Sequence, residues 1–272
     1  MSPIIMLIIV GCFIIQSGGA QQQSTPPSIL LQVSTSLYDS VQLPCSFPFV
    51  RGPEGLTVVW VKVEGNGSSV VVHKSVDGKA DLREQDPQFT NRTELSKEIT
   101  GGNLNLTLSE VSFRDEGTYI CKAAHKTADG DLAVQLSISG LNANSPSIIF
   151  TSISGKRRLK FFISGVFQNP EVTWYNLPNT ADLTREATQN ITSLGDGRKM
   201  VESVLNVETT MNKEYFCYIN EGRLSRRARA VISDGTKPVI IHGQPSGSPT
   251  MYTAWKISIA ILSSTLICIL IV

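Results

Sequence analysis

From Ser28 onward, apolar residues recur at every second position in short runs, and clusters of Gly, Pro, Asn and Asp separate the runs. Period two is the mark of a half-buried strand, because successive side chains point to opposite faces of a sheet. In the first half the pattern predicts strands at Ile29–Val33, Val41–Phe47, Leu56–Val63, Val70–His73, Leu104–Leu108, Gly117–Ala124 and Leu132–Ile138. The stretch from Ser147 to Ser233 repeats the theme, and no long window has helical periodicity. Short strands at regular spacing with turn signals between them argue for antiparallel sandwiches. The expected fold class is all-β, with one sandwich over 28–140 and a second over 146–235.

The two ends break this pattern. Residues 4–15 are almost wholly apolar and are followed by Gln16-Ser17-Gly18-Gly19-Ala20. An apolar run of about a dozen residues is too short to span a bilayer but suits a secretory signal, with Gly18 and Ala20 as the small residues before the cut. Residues 1–20 are therefore expected to be a signal peptide. At the other end, Ile257–Val272 is uncharged and mostly apolar, and eight residues separate it from Ser246-Gly247-Ser248. Small residues, a spacer and a terminal apolar tail form the pattern of a glycosylphosphatidylinositol attachment signal. A short spanning helix without a cytoplasmic tail is the alternative. Either reading makes 236–256 a juxtamembrane stalk and 257–272 a membrane anchor.

An export signal changes the meaning of the cysteines. Cys12 and Cys268 fall in the two ends, which leaves Cys45, Cys121 and Cys217 in an oxidising compartment. Four Asn-x-Ser/Thr sequons, at Asn66, Asn91, Asn105 and Asn190, become candidate glycosylation sites and mark positions expected to face solvent. Charge adds a segregation that the near-neutral total conceals. Residues 21–140 hold 10 basic and 14 acidic side chains, and 141–256 hold 14 and 9. Neither half has the one-sided excess of a nucleic-acid binder, so no nucleic-acid partner is expected.

The spacing of three features narrows the type of sandwich. Cys45 precedes Trp60 by fifteen residues, and Asp115-Glu116-Gly117-Thr118-Tyr119-Ile120-Cys121 closes the set. This order resembles an immunoglobulin sandwich. The resemblance implies a Cys45–Cys121 bond between the sheets, Trp60 packed on it, and a corner hydrogen bond from Tyr119. Closing a loop of about 75 residues is worth on the order of 4 kcal/mol in the chain-entropy account. Leu43-Pro44-Cys45, Val71-Val72-His73, Asp77-Gly78-Lys79, Asp86-Pro87-Gln88-Phe89 with Arg92-Thr93, and Asn105-Leu106-Thr107-Leu108 with Val111 further resemble butyrophilins, myelin oligodendrocyte glycoprotein and the B-seven family of T-cell costimulatory and checkpoint ligands. That likeness implies a V-type first domain and an Arg92–Asp115 ion pair at the base of the sandwich.

The second half resembles a C-type domain, most like those of the programmed death ligands, through Asn169-Pro170-Glu171-Val172-Thr173-Trp174, Ser203-Val204-Leu205-Asn206-Val207 and Glu214-Tyr215-Phe216-Cys217. It departs from the pattern at one position: Phe161 stands where a strand-B cysteine belongs. The second disulfide is expected to be absent, with Phe161 filling its space against Trp174 and Cys217 a buried free thiol. An intermolecular bond through Cys217 is the alternative.

Catalytic chemistry has no foothold in the sequence. His73, His125 and His242 are isolated, and no HExxH, GxSxG or phosphate-binding glycine loop occurs. The adjacent Asp115 and Glu116 point opposite ways on an extended chain. No enzyme activity, catalytic residue, metal or cofactor is expected. The basic clusters Lys156-Arg157-Arg158-x-Lys160 and Arg223-x-x-Arg226-Arg227-x-Arg229 read as solvated strand faces. A glycosaminoglycan site or dibasic cleavage at Arg226-Arg227 is the sharper alternative.

Strand parity locates a candidate binding face. With Trp60 inward, Val59 and Val61 point outward; with Tyr119 and Cys121 inward, Ile120, Lys122 and Ala124 point outward. The resembled ligands bind T-cell receptors of the costimulatory or inhibitory class through this sheet, and the expected receptor face is Val59, Val61, Ile120, Lys122 and Ala124, with His125 on the following loop. The reading is a membrane-anchored ligand on the extracellular side of the plasma membrane whose partner is a protein receptor on lymphocytes, and which modulates T-cell activation. The alternatives are homophilic or heterophilic adhesion, with a weak homodimer, and a butyrophilin-like regulator.

Overall fold

The computed structural model describes residues 30–126, 128–177, 180–207, 213–232 and 239–242. The expected signal peptide with Cys12, the anchor with Cys268, and most of the expected stalk lie outside the described residues. Among the described residues, no helix is long and apolar enough to cross a membrane.

Two β-sandwiches stand in series. The first is built from β1 (Leu30–Leu37), β2 (Val41–Leu43), β3 (Leu56–Val63), β4 (Ser69–Val76), β5 (Lys79–Ala80), β6 (Thr93–Leu95), β7 (Leu106–Leu108), β8 (Gly117–His125) and β9 (Ala128–Leu141). A six-stranded sheet in the order β1-β9-β8-β3-β4-β5 packs on a three-stranded sheet β2-β7-β6. Only β1 and β9 pair in parallel within it. The second contains β10 (Ser147–Ile153), β11 (Lys156–Gly165), β12 (Glu171–Leu177), β13 (Ala181–Asp182), β14 (Ala187–Ser193), β15 (Lys199–Leu205), β16 (Glu214–Glu221), β17 (Leu224–Val231) and β18 (Val239–His242). Its sheets run β10-β11-β15-β14 and β13-β12-β16-β17-β18.

The core follows from alternation. On β3, Leu56, Val58 and Trp60 point inward and are fully buried; on β8, Tyr119, Cys121 and Ala123 do the same. Trp60 pairs with Cys121 in register, and Cys45 reaches across from the small sheet to close the disulfide. The Trp60 indole Nε1 donates to Leu104 O at 3.1 Å, so the ring is buried without an unmet donor.

Two expected strands are shorter than the apolar pattern suggests. The Val41–Phe47 run ends as a strand at Leu43, because Pro44 has no N–H to give the ladder. The Asn105 carboxamide replaces a ladder bond there, accepting from Cys45 N at 2.8 Å. The partner strand accordingly starts at Leu106 rather than Leu104.

An elbow joins the sandwiches, made by the β16–β17 turn of the second. Glu221, 4% exposed, accepts from Tyr38 Oη at 3.0 Å and from the backbone N–H groups of Gln168 and Asn169. Burial and the neighbouring Glu221 carboxylate push the Tyr38 hydroxyl up to about 12. Arg223 donates to Glu116 at 2.6 Å and to Ile138 O, and its guanidinium stacks 4.4 Å from the Phe113 ring centre. Between them Gly222 has φ +57°, and a Cβ there would come within 2.7 Å of the same ring. Arg226 donates to Leu141, Ala143 and Asn144 carbonyls, which holds the linker against the second sandwich. Half of the dibasic pair is therefore committed to structure.

Candidate functional site

The base of the first sandwich fixes the strands that carry the candidate face. Arg92 uses all five of its N–H donors: Nε to Ser109 O, Nη1 to Gln88 O and Asp115, Nη2 to Glu110 O and Asp115. Asp115 is 1% exposed and also accepts from Ser112 N and Oγ. The Tyr119 hydroxyl donates to Asp115 O at 2.6 Å, and burial together with the Asp115 charge pushes its pKa up strongly. Lys62, 6% exposed, reaches the same corner through Arg114 O at 2.9 Å. These contacts pin the start of β8, and so the parity of everything along it.

The outer face of the six-stranded sheet carries two cross-strand rows. One runs Val71–Val61–Ile120–Ala133–Leu30 through β4, β3, β8, β9 and β1; the next runs Lys74–Val59–Lys122–Asp131. Ile120 and Val59 are half-buried, Lys122 and Ala124 are exposed, and Leu30 is 49% exposed. Among the described residues Lys122 has no ion pair or side-chain hydrogen bond. Val61 and Ala133 are buried in the first row, so the solvent-facing part is Leu30, the half-buried Val71, Ile120 and Val59, and the exposed Lys122 and Ala124. A cation beside partly exposed apolar side chains suits a protein partner.

Two expected members are not open to a partner on this face. His125 is buried, not on a loop: β8 runs one residue further than expected, so His125 keeps the inward parity of Tyr119 and Cys121. Its ring nitrogens face Phe49 O and Glu54 O at 3.2 and 3.1 Å. Val61 points outward but is only 8% exposed. Opposite Trp60, β4 inserts an extra residue, and Val71 and Ile120 close over Val61 from both sides. Leu30 and Asp131 were missed because strand order, not strand pattern, brings β1 and β9 beside β8. Their parity was readable, but not their neighbours.

The sequons sort by geometry. Asn66 lies in the β3–β4 turn, Asn91 in the turn before β6 with φ +60°, and Asn190 in mid-β14; all three are exposed. Asn105 is half-buried, with its carboxamide committed to Cys45 N and to Gln42. None stands on a strand of the six-stranded sheet. In the second sandwich Phe161 and Trp174 are fully buried with ring centres 6.4 Å apart, edge to face, and Trp174 Nε1 donates to Ser203. Cys217 pairs with Trp174 in register as a buried free thiol, its pKa pushed well up by desolvation. Among the described residues, no group of three or more His, Cys, Asp or Glu could hold a metal ion.

Residues 31–139 match the immunoglobulin V-set domain family. The mouse V-set domain containing T-cell activation inhibitor 1 is 25% identical over 65% of this chain. Human HERV-H LTR-associating protein 2 is 29% identical over 73%, and marmoset myelin-oligodendrocyte glycoprotein is 32% identical over 45%. The first sandwich is an immunoglobulin V-set domain. The chain spans 62%, 45% and 48% of the lengths of those three relatives, respectively. The V-set module therefore carries the candidate face, and the Cys45–Cys121 bond and the Trp60 packing are its frame.

Proposed function

We propose that the chain is a cell-surface ligand that binds a protein receptor on T cells through the outer face of its V-set sheet and modulates their activation. The observation that carries this reading is the partly exposed apolar cluster of Val59, Ile120 and Ala124 around the unpaired Lys122, on a sheet whose strands hold no sequon. Kinship with a protein named as a T-cell activation inhibitor supports the class of partner. Presentation outside the cell fits a disulfide and four sequons behind an apolar leader. The sense of the signal belongs to the receptor.

The test displays the full chain on transfected cells and measures binding of activated T cells. Lys122→Glu and Ala124→Arg change exposed positions, so both variants should reach the surface at normal levels and lose lymphocyte binding. Unchanged binding by both would show that the face is wrongly chosen. Aggregation of the transfected cells with each other, without lymphocyte binding, would replace the ligand reading with homophilic adhesion.

A further inference from the structure

The second sandwich has an open edge without the usual protection. Strand β14 bonds to β15 on one side only, and Thr188 to Ser193 are all exposed. Ile191 is 42% exposed. An unpaired edge is a template for another strand, and proteins blunt it with charge, proline or cover. The sequence Ala187–Ser193 (ATQNITS) has no charged residue and no proline. The opposite edge, β10, differs because it packs against β17.

What β14 does have is a sequon whose geometry is on display. In a strand, residues two apart share a face, and Asn190 Nδ2 donates to Thr192 Oγ1 at 3.4 Å. The register Asn190–Glu202–Phe162 puts the carboxamide on the outer face of the sheet. Beside it lie half-buried Phe162, Met200 and Val204 and, 40% exposed, Ile149. The Lys160–Glu202 pair at 2.6 Å is the one ion pair on that face among the described residues.

We propose that Asn190 carries an N-linked glycan that caps the β14 edge and shields this face, preventing two copies from pairing through β14. The inference rests on the cell-surface reading, since the modification needs the lipid-linked oligosaccharide diphosphate of the secretory route. Nδ2 forms a C–N bond to the anomeric carbon and loses one proton. The anomeric C–O bond breaks, and its electron pair leaves with the lipid diphosphate. One N–H remains on Nδ2 to keep the Thr192 contact.

The test uses the full chain from mammalian cells, solubilised in detergent. Glycopeptide mass spectrometry reads occupancy at each sequon, and light scattering after size exclusion reads the mass of the protein part. The wild type should carry sugar at Asn190 and run as one chain. N190Q and T192A, two independent ways to remove the sequon at exposed positions, should both shift toward the mass of two chains. N190Q with Ile191→Lys should return to one, because a charge at the edge opposes pairing. Sugar at another sequon with none at Asn190 would overturn the proposal and leave the cell-surface reading intact, as would single-chain mass for both sequon variants. No sugar at any of the four would overturn that reading and the proposal with it.

Discussion

Arg92 shows how one side chain can define an end of a sandwich. A guanidinium in a fixed fork meets five acceptors from four directions, and the Asp115 carboxylate beneath it is all but excluded from water. Arg92→Ala leaves that charge uncompensated and should cost about 3–5 kcal/mol in denaturant unfolding. Removing Arg83, whose pairing with Asp81 lies at the surface, should cost far less. His73 gives a pH signature. Burial holds its imidazole below the ordinary value, with Nδ1 on Thr93 Oγ1 at 3.0 Å. The unfolded chain takes up a proton as pH falls through about 6.5, while the folded chain does so only lower. Stability should therefore decline as pH drops from 6.5 toward the folded value and level off below it. His73→Gln should flatten that part of the stability–pH curve; an unchanged slope would assign it to other groups.

At the scale of elements, strand existence was legible and strand ends were not. Leu56–Val63, rich in apolar and β-branched residues, forms a strand over those residues. Pro44 cuts one run short, and β8 extends to His125, because pairing of His125 with Ala128 across the hairpin continues the ladder. Strand β14 has no core-facing apolar alternation; it is a strand because β15 offers it an edge. In the second sandwich, the Phe161 substitution was readable from one position, and its consequence is local packing. Cys217 should resist thiol reagents in the folded chain and react only on unfolding, since a buried thiol forms little thiolate. Phe161→Ala should cost about 3–5 kcal/mol through the cavity left against Trp174. A reducible dimer on a non-reducing gel that is lost in Cys217→Ser would contradict the buried thiol.

At the scale of the molecule, the acidic first half and basic second half meet at the elbow as Glu116 and Arg223. Gly222 lets the turn approach Phe113, and Glu221 ties the same turn to Tyr38. Arg223→Ala combined with Gly222→Ala should loosen the joint. The expected result is a broader distance distribution in small-angle scattering, with unfolding of the V-set module unchanged. If the scattering profile is identical to that of the wild type, the elbow contacts do not set the angle.

The sequence by itself determined the two all-β halves and the inward set, because period-two burial is local in the chain. Through the resemblance carried by Cys45, Trp60, Tyr119 and Cys121, it implied the disulfide frame. It also located the outward residues of β3 and β8. Only the tertiary structure decided which outward residues form one surface. That depends on β1 and β9 arriving beside β8, on a one-residue insertion in β4 that buries Val61, and on where β8 ends. Strand neighbours are set by contacts distant in sequence, and a period of two carries no information about them.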